Sequence, residues 1–327
     1  MSDVAERWSL ILAAGSGTRL HSLTSDGYGR AVPKQFCSLN GGSSLLEEAF
    51  TRARAFSTEQ HTLVVVAAEH RAHWQHALAG MHAENVIVQP VNKGTANGIL
   101  LGAAAILERD PQALVTVLPS DHYVAHEDVL RRSLSRAFAL AESETGARAI
   151  HFLGIEPEHA DPELGYIVPG AISVDGSVAI ARFVEKPNRE LASDLRRRGA
   201  LWNSFVVVAR ASALVGLIER RFPVEARAFA SLWRKRRPDD RQRELERLYA
   251  SLRDIDFSRH VVEGADAPLR VVPVPYCGWS DLGTPKRVAD CLKRFDGLTV
   301  NFPSRHFNLA EGYARLMSTV TAAAQQA

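Results

Sequence analysis

Apolar residues along this chain come in short unbroken runs, separated by longer segments in which they recur every three or four positions. The runs at residues 8–12 (WSLIL), 62–67 (TLVVVA) and 114–118 (LVTVL) are too short for helices and apolar nearly throughout, the mark of strands covered on both faces. Between them lie helical stripes at 45–53, 70–78 and 96–107, the first opened by Ser43-Ser44 as a cap, and a weaker strand at 85–88. Strand and helix alternating with short loops predicts a parallel sheet with helices on both faces.

The second half changes character. A helix at 127–144 leads to a strand at 149–155, then to shorter β segments at 165–168, 179–185 and 201–208. Turns as well as helices join these pieces, which predicts that the sheet becomes mixed. From 211 to about 252 the chain reads as helical and charged; its basic run at 234–237 is balanced by acids from Glu244 onward, a solvated face rather than an anion patch. A strand at 269–273 and a helix at 284–295 complete the pattern. The expected fold class is α/β, a Rossmann-like doubly wound mixed sheet with a helical carboxyl-terminal portion. One domain is expected over residues 1–295, followed by a tail at 296–327 that mixes turn formers with a small helix.

Composition narrows this little. With 46% apolar and 23% charged residues the 327-residue chain is ordinary globular material, and a net charge of +2 is too mild to imply a nucleic-acid partner. Cys37, Cys277 and Cys291 are widely separated with no paired spacing, which predicts reduced thiols in a cytoplasmic protein. The polar amino terminus and the short apolar run after it predict neither a signal peptide nor a membrane partner.

The candidate chemistry gathers in loops that follow strands, at the edge where open α/β sheets bind ligands. The first is Ala13-Ala14-Gly15-Ser16-Gly17-Thr18-Arg19-Leu20. Gly15 and Gly17 let the backbone approach an anion, and Arg19, with Lys34 from Pro33-Lys34-Gln35-Phe36, brings fixed positive charge. Leu20 stands where a dinucleotide fingerprint needs a third glycine, and no Gly-Lys-Ser/Thr follows, so neither that fingerprint nor a Walker loop applies.

Three further loops share the placement. Gln89 offers an amide suited to a base edge, and Gly94 and Thr95 open a helix whose first amides favour an anion, although a plain cap and turn explains those two residues equally well. Asp121, in Pro119-Ser120-Asp121-His122, puts a carboxylate among phosphates, which is costly unless a cation intervenes; Mg²⁺ takes one or two carboxylates together with substrate oxygens. Asp281 supplies a second carboxylate if the late strand returns to the first sheet. Lys186, after Glu185, can meet a second phosphate, and Glu185 and Asn203 can bond hydroxyls.

Taken together, LAAGSGTRL, PKQF, QPVNKGTA, PSDH, LGYIVPG, FVEKP, WNSF, DIDFSRHVVE and GWSDLGTP resemble, in order, the motifs of the sugar-phosphate nucleotidyltransferase family, and within it the mannose-1-phosphate guanylyltransferases. The resemblance spans residues about 8 to 295 and implies a fold of the nucleotide-diphospho-sugar transferase type. It implies that Ala13, Ala14, Gly15, Ser16, Gly17 and Thr18 wrap a nucleotide, with Gln89, Gly94 and Thr95 on its base side. Arg19 and Lys34 would be the catalytic cations on its phosphates. Gly165, Glu185 and Asn203 would contact the sugar and Lys186 its phosphate, while Asp121 and Asp281 would hold Mg²⁺.

The implied reaction joins a nucleoside triphosphate to a sugar 1-phosphate with release of pyrophosphate, GTP and mannose 1-phosphate first. UTP or dTTP with glucose 1-phosphate is the alternative within the class, and a non-catalytic nucleotide-sugar-binding regulator the alternative outside it; a homo-oligomer is compatible with either. The chain departs from the family at Ala14, at 94–97, at Phe205 and at 282–285, carries extra residues Asp26-Gly27-Tyr28-Gly29 before Lys34, and is expected to end before the isomerase domain of some members.

Overall fold

Along the central strands, successive side chains enter opposite cores: Leu10, Leu63 and Val65 pack into one, Ile11, Val64 and Val66 into the other. A strand buried on both faces is apolar at nearly every step, which is why these segments read as almost unbroken runs interrupted only by small polar residues such as Ser9 and Thr116. In a computed structural model, which describes residues 6–25, 31–235, 237–295 and 306–325, those runs form the middle of one large sheet. The strands are β1 Arg7–Ala13, β2 Cys37–Ser38, β3 Thr62–Ala67, β4 Val86–Gln89 and β5 Leu114–Pro119. They continue with β6 Ile150–Ile155, β7 Tyr166–Ile172, β8 Val178–Val184, β9 Leu201–Arg210, β10 Leu269–Val274 and β11 Phe307–Asn308.

Nine of them make a mixed sheet in the order β4-β3-β1-β5-β9-β6-β10-β8-β7, with β7 also touching β9; β2 and β11 form a separate pair. β4, β3, β1 and β5 run parallel, β9 lies antiparallel between β5 and β6, and β10 is parallel to β6. The loops after β1, β4, β5 and β10 therefore leave from one edge. Tyr166 is opposite both Val184 and Trp202, so the end of β8 and the start of β9 meet beside Gly165 at that same edge.

Helices Thr95–Arg109, Ala211–Glu219, Pro223–Trp233 and Pro238–Ser251 cover one face; Leu45–Arg54, Arg71–Ala77, Glu127–Glu142 and Arg189–Arg197 cover the other. The doubly wound α/β expectation describes this arrangement. Ser44 caps its helix with a reciprocal box, its hydroxyl accepting from the Glu47 N–H while the Glu47 carboxylate accepts from the Ser44 N–H. The helical stretch expected from 211 to 252 is three helices, because Pro223 and Pro238 each begin a new one. Helix Arg189–Arg197, capped by the Asn188 side chain, was not expected. Beyond residue 305, β11 and helix Leu309–Gln325 pack on the chain that follows the first glycine-rich loop. No described helix is long and apolar enough to cross a membrane.

Candidate active site

The glycine-rich loop is held by side chains from two other loops. Gln35, buried, donates from Nε2 to the carbonyls of Ala13 and Gly15, both at 3.0 Å, and Asn92 Nδ2 reaches the Ala14 carbonyl at 3.4 Å. Gly17 sits at φ +61°, and a Cβ there would lie 3.2 Å from the Lys34 nitrogen. Gly15 faces open space instead, with nothing within 4 Å of such an atom. Gly15, Ser16 and Thr18 are not buried, so the loop presents backbone rather than bulk.

Lys34 is the hub of the site. Its buried ammonium lies 3.0 Å from Asp121 Oδ2 and donates to the Asp281 carbonyl at 2.5 Å. The Asp121 and Asp281 loops are also stitched to each other, Tyr123 and Ser280 exchanging N–H to carbonyl bonds of 2.9 Å in both directions. Burial pushes the Asp121 carboxyl up, but Lys34 and His122 outweigh it and hold the group below its ordinary range. His122, whose Nε2 is 3.7 Å from Asp121, is driven down to about 4 by burial and is a neutral imidazole at pH 7. Asp281 is opposed by burial and held down by Arg287, which donates from Nη1 to both of its oxygens at 2.8 and 2.9 Å. Arg287 also binds Asp161, from Nε at 3.0 Å and Nη2 at 2.8 Å, so one buried guanidinium joins two carboxylates.

Beside these groups opens a cavity of about 220 Å³ whose lining includes Ala14, Gly15, Gln35, Gln89, Thr95 and Asp121. Gln89, Gly94 and Thr95 line this cavity and also have protein partners of their own. Gln89 is buried and its Oε1 accepts from the Tyr249 hydroxyl at 3.3 Å, which leaves a second lone pair on that oxygen and the amide N–H donors. The helix opening at Thr95 does not present all its first amides: Ala96 N donates to the Ile255 carbonyl at 3.0 Å, and Thr95 Oγ1 accepts from Phe257 N at 2.8 Å. Gly94, at φ +86°, is required because a Cβ would collide with the Ile255 carbonyl.

Arg19 points elsewhere. Its exposed guanidinium contacts Glu163 at 3.3 Å, on the loop that leads to Gly165, rather than standing with Lys34. Gly165, Glu185 and Asn203 do come together: a Cβ on Gly165 would lie 2.6 Å from Glu185 Oε2, and Asn203 N donates to the Gly165 carbonyl at 2.8 Å. Burial first, and then Asp256, raise Glu185 to about 7. Lys186, at φ +47°, is exposed and makes no ion pair among the described residues. Asn203 spends its Oδ1 on Phe205 N at 3.0 Å, within a β-bulge where Phe205 takes φ +60° and enters the cavity lining. The inserted residues 26–29 lie outside the described residues. Gln35, Asn92, Asp161, Glu163 and Arg287 were not singled out from the sequence; Gln35 and Asn92 stood inside quoted motifs, PKQF and QPVNKGTA, without a role.

The profile of the family described as Nucleotidyl transferase covers residues 8–296. The chain belongs to the nucleotidyl transferase family. Among its relatives, the xanthan biosynthesis protein XanB of Xanthomonas campestris pv. campestris (strain B100) is 32% identical over 288 residues, 87% of this chain and 58% of that protein. Mannose-1-phosphate guanylyltransferase of Escherichia coli K12 is 30% identical over 289 residues, 85% of this chain and 58% of that protein. The chain thus spans under two thirds of the length of these relatives. A solved structure described as mannose-1-phosphate geranyltransferase of Thermus thermophilus superposes with a TM-score of 0.74 at 28% identity, covering 88% of this chain and 79% of that one.

Proposed function

We propose that this nucleotidyl transferase moves a nucleotidyl group from a nucleoside triphosphate to a sugar 1-phosphate, releasing pyrophosphate, with GTP and mannose 1-phosphate as the first-choice pair. The observation that carries the reading is the position of Lys34, bound to Asp121 and to the Asp281 backbone beside a cavity lined by the Gly15 loop. The sugar phosphate is already ionised, so no general base is needed; the task is to bring two anions together in line, which calls for positioning and charge neutralisation. Lys34 and Arg19 would leave their carboxylate partners for the triphosphate. Gly165, Glu185 and Asn203 would take the sugar hydroxyls, with Lys186 on the sugar phosphate.

Two carboxylates held ionised within reach of one lysine suit a hard cation, for which one or two such ligands with substrate oxygens suffice. Asp121 would hold Mg²⁺, joined by Asp281 through whatever capacity its bonds to Arg287 and Gly283 N leave. When bound, the ion supplies neutralisation of the triphosphate and the departing pyrophosphate. Three free buried thiols agree with a cytoplasmic setting. Pyrophosphate release from the purified chain, with and without Mg²⁺, tests the reading; tight nucleotide binding without turnover would instead indicate a regulator.

A further inference from the structure

The segment beyond residue 305 lies outside the loops that line the cavity, yet it closes an apolar cluster drawn from three stretches around the phosphate site: those that follow Arg19, Lys34 and Asp281. Leu20 and Leu23 come from the chain leaving Arg19, Cys37 and Leu39 from the chain leaving Lys34, and Leu282, Val288 and Cys291 from the Asp281 wall. Leu309, fully buried, packs into this cluster, and its helix lies against both His21–Thr24 and Pro285–Leu292. The contacts are specific. Phe307 and Asn308 pair with Cys37 and Ser38, three residues past Lys34, and Ala310 N donates to the Leu39 carbonyl at 3.1 Å. Gly312 sits so close that a Cβ would collide with the Leu23 carbonyl oxygen. The large sheet does not pair with residues 14–25 or 31–44, so this segment ties together loops that the sheet leaves to themselves.

We infer that residues 306–325 are a positioning element of the triphosphate site, whose docking holds the exits of the Gly15 loop, Lys34 and the Asp281 wall in register; this rests on the nucleotide reading above. By linkage, a triphosphate that binds the docked form must favour docking, and undocking must weaken triphosphate binding.

The cysteines provide the test, since Cys37 and Cys291 are buried in this cluster and Cys277 in a different one. In the full-length wild type, a maleimide is reacted with and without each of the four nucleoside triphosphates, and labelling is read per cysteine by mass spectrometry. The triphosphate that binds is expected to slow Cys37 and Cys291 several-fold more than Cys277; equal slowing of all three would overturn the inference. In Gly312→Val the first two cysteines should label while Cys277 stays protected, and triphosphate affinity should fall about tenfold or more. A variant that exposes Cys37 and Cys291 yet binds triphosphate as the wild type does would overturn it. If Gly312→Val does not fold, the wild-type pattern decides. If no triphosphate binds the wild type at all, it is the nucleotide reading that fails, and the assigned role falls with it.

Discussion

Lys34 Nζ lies 3.0 Å from Asp121 Oδ2, an ion pair joining the segment after the glycine-rich loop to the loop after β5. The same ammonium holds the Asp281 backbone, so one side chain gathers three of the four loops that leave the carboxyl edge near the cavity. Replacing it with Lys34→Met keeps the stem and removes the charge. Turnover should fall by about 10²-fold or more, the scale on which a lost electrostatic contact to the transition state is felt. Pyrophosphate release checks this; a variant retaining a tenth of wild-type turnover would remove Lys34 from the proposed machinery. Because Asp121 is held below its ordinary range, its pairing contributes stability above that range and loses it as pH falls through the lowered value. Thermal unfolding of Lys34→Met should therefore depend less on pH than that of the wild type at the acid end.

Gly15 and Gly17 separate two jobs of one loop. Gly15→Ala adds a methyl that meets no protein atom, beside the cavity, so stability should be unchanged while triphosphate affinity weakens. Gly17→Ala places a side chain at φ +61° and should cost about 1–2 kcal/mol in urea unfolding. Calorimetric binding and urea titration of both variants check the contrast.

The Asp161–Arg287–Asp281 arrangement makes a stability prediction. All three side chains are at most 17% exposed, and Arg287→Met would leave two buried carboxylates without their counter-charge. Unfolding free energy should drop by about 3–5 kcal/mol. A loss below about 1 kcal/mol would mean that the carboxylates are as well solvated as surface groups.

How much of this could be read from the chain depends on how local the cause is. β3 and β5 were legible because burial on both faces favours apolar residues at nearly every step, and Ser44 because its capping partner Glu47 is three residues away. The placement of the candidate loops was legible too, since each follows a strand. Gln35 was not assigned a role, because its targets, the carbonyls of Ala13 and Gly15, are 22 and 20 residues away and meet it only after folding. Arg287, 126 residues from Asp161, reads locally as one more charge on an amphipathic helix. The bulge at 203–205 depends on Ser204 Oγ donating to the Leu153 carbonyl at 2.6 Å in a neighbouring strand, which no pattern of spacing reveals.

Glu185 gives a pH prediction. Its carboxyl is raised to about 7, so the ionised form is penalised in the folded state, and its contribution to stability declines as pH rises from the ordinary carboxylate range through 7. Glu185→Gln removes that penalty. The melting temperature of the variant relative to wild type should therefore rise between about pH 5 and about pH 8, an interval that starts above the ordinary carboxylate range and passes the raised one; a difference that stays flat would place Glu185 in water. In the same range, the KM of the wild type for sugar 1-phosphate should fall as the carboxylate forms, more steeply than that of the variant.

The most direct test of nucleotidyl transfer is a matrix of nucleoside triphosphates against sugar 1-phosphates, with Mg²⁺ present, read as pyrophosphate released. Release is expected to require both substrates together and to be greatest for GTP with mannose 1-phosphate. Turnover confined to other nucleotides would contradict the guanylyl assignment, and no release from any pair, with nucleotide still bound, would contradict the catalytic reading itself.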